Sequence, residues 1–232
     1  MAPSKQKEAI THKTISSYQK RIPASIYEFL QKKKLTDLRP AQWKAIDKGL
    51  FEDRNLLVCT PTASGKTLVA ELAILNAIYH DKGKCVYIVP LRALASEKYR
   101  QFKEWHSFKI ALTSGDVDTD DSYLANYDLI ITTSEKFDSL LRHKAPWLSK
   151  VKVVVIDEIH LLQDPERGPT LEVVITLLRM LLKKLQLIGL SATIGNPDDL
   201  ASWLGAELVE DKWRPVRLDK GVYLEGKVEF FS

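Results

Sequence analysis

Residues 60–67 read Thr60-Pro61-Thr62-Ala63-Ser64-Gly65-Lys66-Thr67, and they directly follow the apolar run Leu56-Leu57-Val58. Far downstream, four β-branched residues at 153–156 end in Asp157-Glu158-Ile159-His160. The first segment offers backbone N–H groups and a lysine, which suit phosphate oxygens, and the second offers carboxylates, which suit a Mg²⁺ ion and a water molecule. Each segment says little alone. Together, each at the end of a predicted strand, they predict a nucleoside-triphosphate site.

The phosphate half of this site depends on a tight turn at Gly65, where the absence of a Cβ lets N–H groups approach an anion at the start of a helix. Lys66 is expected to reach the β- and γ-phosphates, and the hydroxyl of Thr67 to coordinate Mg²⁺. Thr60 replaces the first glycine of the usual phosphate-loop pattern, so an ordinary turn before a helix is the alternative interpretation. The residues expected to bind the nucleotide are Gln42, Thr62, Ala63, Ser64, Gly65, Lys66 and Thr67.

The acidic half supplies the metal ligand and the base. Asp157 is expected to hold Mg²⁺, together with Thr67, and Glu158 to orient and deprotonate the attacking water. The predicted catalytic residues are therefore Glu158, Lys66 and Asp157, and the alternative is a pair of helix-capping carboxylates. His160 is placed to couple the metal site to a neighbouring loop, although it could equally be a satisfied polar residue. The Gln42 amide offers the donor and acceptor that an adenine edge requires, but a surface glutamine is the default.

The composition suits one α/β domain of ordinary size. The chain has 232 residues, of which 45% are hydrophobic, and its net charge of +4 is compatible with a nucleic-acid partner without requiring one. Cys59 and Cys85 both lie in predicted buried strands, which favours reduced thiols over a disulfide or a metal site. No apolar stretch reaches the roughly 18 residues of a membrane span, and the polar N-terminus lacks a signal-peptide core. We therefore expect a soluble, intracellular and cytoplasmic protein.

Strand-like and helix-like runs alternate along most of the chain. The strand-like runs are short and nearly all apolar, and they lie at 55–59, 84–89, 109–112, 128–132, 151–156 and 185–190. The helix-like runs lie at 66–79, 93–108, 134–141 and 171–184. This alternation predicts an α/β fold with a doubly wound, mainly parallel sheet and helices on both faces, and ligands at the carboxyl ends of the strands.

The order of the polar segments resembles the motif series of superfamily-two helicases. The segments that carry the resemblance are Gln42, residues 60–67, residues 90–94, residues 113–116, residues 132–136, residues 157–160 and residues 191–193. Further details, among them the Trp213-Arg214-Pro215 segment, narrow it to the Ski-like DExH branch. Within that branch the chain looks closest to the archaeal HelQ-type DNA helicases that act at stalled replication forks.

The resemblance implies a RecA-like P-loop NTPase fold, with ATP and Mg²⁺ as cofactors. It also implies an ATP-dependent 3′-to-5′ DNA helicase motor, monomeric, that moves on single-stranded or forked DNA in replication-fork repair. The residues implied to track the strand are Arg92, Thr113, Ser114, Gly115, Thr133, Ser134 and Lys136. Those implied to couple ATP to the strand are His160, Ser191, Ala192 and Thr193. Thr133 and Ser134 could instead cap the next helix.

The resemblance also divides the chain. It implies a helical N-terminal extension at 1–35, a first RecA-like ATP-binding domain at 36–213, and at 214–232 a linker and a first strand leading to a second RecA-like domain. Such a fragment would bind ATP weakly, hydrolyse little and unwind nothing alone. Two other functions stay open at this point, an RNA helicase of the same branch and an ATP-binding scaffold without turnover.

Overall fold

The computed structural model of the protein describes residues 12–115, 121–182, 184–216, 219–224 and 226–231. Its strands are β1 (Lys13–Thr14), β2 (Asp37–Leu38), β3 (Leu56–Cys59), β4 (Lys84–Val89), β5 (Ile110–Thr113), β6 (Leu129–Thr133), β7 (Val151–Ile156), β8 (Gln186–Ser191), β9 (Glu207–Glu210), β10 (Lys220–Leu224) and β11 (Lys227–Phe231). Its α-helices are α1 (Ala24–Lys32), α2 (Pro40–Asp47), α3 (Lys66–Tyr79), α4 (Arg92–Trp105), α5 (Ser134–Arg142), α6 (Gly168–Leu181) and α7 (Pro197–Leu204). Short 3₁₀ helices lie at Ile15–Tyr18, Asp121–Asn126, Pro146–Lys150 and Ile159–Gln163.

Seven of these strands form one sheet in the order β5-β6-β4-β7-β8-β3-β9, and every neighbouring pair in it is parallel. The predicted doubly wound parallel sheet is therefore confirmed. The six predicted strands correspond to β3 to β8, each to within one residue at either end. The seventh, β9, and the helix α7 before it were not predicted. No helix among the described residues is both long and apolar enough to cross a lipid bilayer.

Each face of the sheet is covered by its own apolar core, because successive strand residues point to opposite faces. Leu56, Val58 and Tyr87 belong to the core under α1 to α4, whereas Leu57 and Ile88 belong to the core under α5 to α7. All five side chains are almost completely buried, which explains why the strands are apolar throughout. Both cysteines are buried free thiols, as expected.

The two ends of the chain differ in detail from the sequence-based expectation. At the N-terminal end, β1 pairs antiparallel with β2. The segment predicted to be helical therefore also contributes a strand. Its partner strand, β2, lies beyond the expected boundary at residue 35. At the other end, β10 and β11 form an antiparallel hairpin instead of a single strand, with the left-handed Gly226 (φ 80°) in its turn. The predicted domain boundaries themselves stay predictions.

A buried polar cluster attaches α1 to the body of the domain. The Glu71 carboxylate on α3 accepts hydrogen bonds from Lys33 Nζ at 2.8 and 2.9 Å, and its Oε1 lies 2.8 Å from His106 Nε2. The His106 ring is stacked against Phe29 and Phe108, with centroids 5.0 and 4.9 Å away. Burial alone would raise the pKa of Glu71, but the hydrogen bonds from His106 and Lys33 outweigh it and hold the pKa below its ordinary value.

Glu71→Gln is expected to lower the free energy of unfolding by about 2 kcal/mol at neutral pH, because it removes a buried charged acceptor from Lys33. Since the folded-state pKa of Glu71 is lowered, its contribution is fully present above the ordinary glutamate pKa and is lost as the pH falls from that value through the lowered pKa. Urea denaturation at several pH values measures the difference. Glu28→Gln, an exposed change on α1, is the control. A difference between Glu71→Gln and wild type that stays constant into acid would contradict this linkage.

Candidate active site

The loop between β3 and α3 is folded by its own side chains. The Thr60 and Ser64 hydroxyls are buried and lie 2.7 Å apart. Ala63 and Gly65 both have left-handed backbone conformations (φ 63° and 97°), and a Cβ on Gly65 would collide with the side-chain amide of Gln42. The threonine in place of the usual first glycine is thus a structural part of the loop, because its hydroxyl bonds across the turn.

Gln42 of α2 and Arg39, the N-cap of α2, support this loop from outside. Gln42 is buried, its Oε1 accepts a bond from the Arg39 N–H at 2.8 Å, and its Nε2 donates to Gly65 O at 3.3 Å. Arg39 Nη1 donates to Ala63 O at 2.8 Å, and the same guanidinium lies 5.5 Å from the ring centre of Trp213. Gln42 is therefore placed beside the phosphate loop as expected, and its contact with adenine stays a prediction.

Lys66 is the first residue of α3 and points back into the loop, where its Nζ donates to Thr60 O at 2.8 Å. Burial lowers the pKa of this ammonium, although Glu158 and Asp157 act in the opposite direction. The loop therefore holds a partly desolvated cation, which a phosphate would stabilise. Because β3, β8 and β7 are neighbouring parallel strands, the lysine loop after β3 and the acidic pair after β7 share one end of the sheet.

Asp157 lies one residue beyond β7 and is fixed by several contacts. Its Oδ2 accepts a hydrogen bond from the Tyr87 hydroxyl at 2.9 Å, and its Oδ1 accepts one from the Glu158 N–H at 3.1 Å. Tyr87 is fully buried, and this burial, with Asp157 nearby, raises its pKa well above the ordinary value and keeps it a donor. Glu158 follows with φ 53°, a left-handed backbone conformation that is uncommon outside glycine.

A lysine from α4 connects the two halves of the site. Lys98 Nζ donates to Thr67 Oγ1 at 3.3 Å and lies 3.8 Å from Asp157 Oδ2. The side chains of Lys98 and Asp157 are 12% and 13% exposed, so this ion pair is mostly shielded from water. Thr67 and Asp157, the two expected metal ligands, are thus brought together around the Lys98 ammonium.

The expected coupling residues also lie together. His160 Nδ1 is 3.3 Å from Glu158 Oε2 and 3.5 Å from the Ala192 N–H. Ser191 is the last residue of β8 and is fully buried, whereas Thr193 is exposed. The acidic segment after β7 is therefore joined to the segment after β8 through one histidine. Its role in coupling stays a prediction.

The expected strand-tracking residues fall into two groups. Arg92 and Gly115 are exposed, Ser114 is partly buried and Thr113 is buried, while Asp116 of the same motif lies outside the described residues. The second group is buried and takes part in the packing of α5. Thr133 is the N-cap of α5, and its Oγ1 accepts from the Lys136 N–H at 3.4 Å. Ser134 is 6% exposed, and Lys136 Nζ donates to Asp121 Oδ2 at 2.8 Å. The helix-cap interpretation of Thr133 is confirmed, and the nucleic-acid role of this group stays a prediction.

Sequence reasoning missed three side chains that build the site, namely Tyr87, Lys98 and Arg39. Tyr87 left a signal, because a tyrosine inside an apolar strand needs a partner for its hydroxyl. Lys98 and Arg39 left none, since a charged side chain on a helix or at its N-cap is equally typical of a solvated surface. Their roles follow from the packing of α4 and α2 beside the loop.

The chain is similar to known proteins over most of its length. Residues 39–200 match the family model of the DEAD/DEAH box helicase. Proteins named ATP-dependent DNA helicase Hel308 are 50% identical over 210 residues in Pyrococcus horikoshii, 52% over 209 in Pyrococcus abyssi and 50% over 216 in Methanocaldococcus jannaschii. These matches cover 90%, 89% and 89% of this chain but 29%, 29% and 18% of the relatives. The chain thus spans less than a third of their length.

Solved structures agree with this assignment. The DUF1998 helicase MrfA bound to DNA gives a TM-score of 0.73 at 25% identity, over 88% of this chain and 31% of the other. The same helicase bound to DNA and AMPPNP gives 0.70 at 27% identity, over 83% and 29%. The RecA-like helicase fold and the helicase resemblance are therefore confirmed. The chain belongs to the DEAD/DEAH box helicase family and is a homologue of the archaeal ATP-dependent DNA helicases named Hel308.

Proposed function

We propose that this chain is a DNA-helicase motor domain that couples ATP hydrolysis, with Mg²⁺, to 3′-to-5′ movement along single-stranded or forked DNA during replication-fork repair. The observation that carries the proposal is the position of Lys98 Nζ, 3.3 Å from Thr67 Oγ1 and 3.8 Å from Asp157 Oδ2. The Lys98 ammonium contacts both the phosphate-loop motif and the acidic motif, so the two motifs meet at a place that holds a cation. The names of the Hel308 relatives support DNA as the nucleic acid that is bound and ATP as the nucleotide that is hydrolysed. We further propose a monomer that acts inside the cell, where its DNA lies.

The donor atoms fit a magnesium ion. Thr67 offers a hydroxyl oxygen and Asp157 a carboxylate, and these hard oxygen ligands are the kind that Mg²⁺ prefers. Both oxygens already face a positive charge from Lys98. When bound, Mg²⁺ would neutralise negative charge that develops on the phosphates. Thr67 and Asp157 would hold it, and the hydrogen bonds from Tyr87 and the Glu158 N–H would keep the carboxylate oriented.

Lys66 and Glu158 would then perform the remaining chemistry. Lys66 exchanges the carbonyl of Thr60 for phosphate oxygens, a favourable exchange because its ammonium is partly desolvated before the nucleotide arrives. Glu158 accepts a proton from the water that attacks the terminal phosphate. His160 lies 3.3 Å from Glu158 and 3.5 Å from the Ala192 N–H. A movement of the Glu158 carboxylate would therefore be passed through His160 to the segment after β8.

We expect Mg²⁺-dependent binding of a fluorescent ADP analogue to the 232-residue chain, measured by fluorescence titration. Lys66→Ala is expected to weaken this binding at least about tenfold, because a charge-assisted bond to phosphate is worth roughly 1.5–3 kcal/mol. Lys103→Ala is the control, since Lys103 bonds to the exposed Tyr99 hydroxyl on α4, away from the loop. Equal affinities for wild type and Lys66→Ala would count against a phosphate site in this loop.

Hydrolysis by the chain alone is expected to be slow. Arginines supplied from a second domain account for roughly 10³- to 10⁵-fold of the rate in comparable phosphoryl-transfer enzymes. A phosphate-release assay with and without single-stranded DNA measures this, and rapid DNA-stimulated turnover by the 232 residues would contradict it. In a protein of the relatives' full length, Glu158→Gln should abolish turnover and preserve ADP binding. If the protein were a scaffold without turnover, Glu158→Gln would leave its ATPase activity unchanged.

Arg92→Ala is expected to weaken binding of single-stranded DNA by a similar factor for every sequence, because a phosphate contact reads no bases. Arg100→Ala is the matched control, an exposed arginine on the same helix whose Nε donates to Ser96 O. Fluorescence anisotropy at several salt concentrations should show a smaller salt slope for Arg92→Ala. The same titrations with a matched RNA strand test the substrate, and tighter binding of RNA would favour an RNA helicase.

A further inference from the structure

We propose that the Lys98 ammonium occupies the place of the divalent cation. It holds Thr67 and Asp157 together in the nucleotide-free site and competes with Mg²⁺ for their oxygens. This inference rests on the proposed function, because it concerns the same metal position. It assigns to a lysine of α4 a positioning role that precedes nucleotide binding.

The geometry of the contact places Lys98 between the expected metal ligands. Lys98 comes from α4, whereas Thr67 belongs to α3 and Asp157 follows β7, so three separate elements meet at its Nζ atom. The distances of 3.3 Å to Thr67 Oγ1 and 3.8 Å to Asp157 Oδ2 place the ammonium between the two expected metal ligands. A long, flexible side chain reaches such a place at a cost in rotamer entropy, so its position needs a stabilising charge partner.

The electrostatics of Asp157 also favour a cation at this position. The Asp157 carboxylate is 13% exposed, and a buried carboxylate needs a counter-charge as well as hydrogen bonds. Tyr87 and the Glu158 N–H supply the hydrogen bonds, at 2.9 and 3.1 Å, but they bring dipoles and no full charge. Lys98 supplies a full positive charge at 3.8 Å, where water screens it little because its own side chain is 12% exposed.

Lys98 and a bound magnesium ion would compete for one place. The Nζ atom lies between the oxygens of Thr67 and Asp157 that would hold the ion, so a bound ion would lie close to the present Nζ position. Two cations at that separation repel each other strongly in a shielded site. We therefore expect the Lys98 ammonium to move away when the metal enters. The phosphates of the nucleotide bring negative charge with the metal, which favours the exchange.

The experiment measures metal binding by the nucleotide-free 232-residue chain, with Mn²⁺ as the probe. Mn²⁺ takes the same oxygen ligands as Mg²⁺, and the electron paramagnetic resonance signal of the free ion falls when it binds. Lys98→Met is expected to raise the Mn²⁺ affinity at least roughly tenfold, because a competing charge is removed. It is also expected to lower the melting temperature in EDTA, and Mn²⁺ should restore more stability to it than to wild type.

Three variants make the result specific. Lys103→Met removes a lysine from the same helix outside the site and should leave Mn²⁺ affinity unchanged. Lys98→Gln keeps a polar group at this position and should disturb folding less than Lys98→Met does. It should show the same gain in Mn²⁺ affinity. Lys98→Met combined with Asp157→Asn should lose the gain, which ties it to this carboxylate.

Two different failures are distinguishable. A wild-type chain that binds no ADP in the presence of Mg²⁺ would overturn the proposed function and this inference with it. A wild-type chain that binds Mg²⁺ and ADP, with Mn²⁺ affinity unchanged or weaker in both folded Lys98 variants, would overturn the inference alone. A weaker affinity would mean that Lys98 assists the metal and does not compete with it.

Discussion

The register of three neighbouring parallel strands determines where the chemistry of this domain can occur. In β7, β8 and β3, Ile156 is level with Gly189, and Cys59 is level with Ser191, so the three strands end at nearly the same height. The residues that follow each strand must therefore share one edge of the sheet. A slip of one residue in β7 would turn Asp157 to the opposite face of the sheet, away from α3 and α4.

The apolar strands made most of this arrangement predictable from sequence. Runs such as residues 151–156 are buried on both faces and leave few alternatives, whereas β9 was missed because it lies at the edge and carries charges at Glu207 and Glu210. The phosphate loop and acidic segment were recognisable because backbone and metal chemistry restrict their residue types. Lys98 was not, because a lysine on a helix surface and a lysine inside a site look alike until the tertiary packing is known.

The domain tolerates local strain at its functional edge and compensates for it elsewhere. Ala63 and Glu158 have left-handed backbones, and Lys66 is an ammonium whose pKa burial has lowered. None of these features favours folding in itself. The two apolar cores, and the charged cluster around Glu71 that attaches α1, supply the stability that keeps these residues in place. Such a division is typical of sites whose strained groups are stabilised by a ligand.

The contact between Arg39 and Trp213 makes the phosphate loop sensitive to the far end of the chain. Trp213 is positioned by Asp211, whose Oδ1 accepts from the Trp213 N–H at 2.6 Å and whose Oδ2 accepts from Lys44 at 2.6 Å. Arg39 touches the Trp213 ring and also holds Ala63 O. A mechanical pull on the polypeptide beyond Trp213 would therefore act on the Arg39 guanidinium and, through it, on the loop where phosphates are expected.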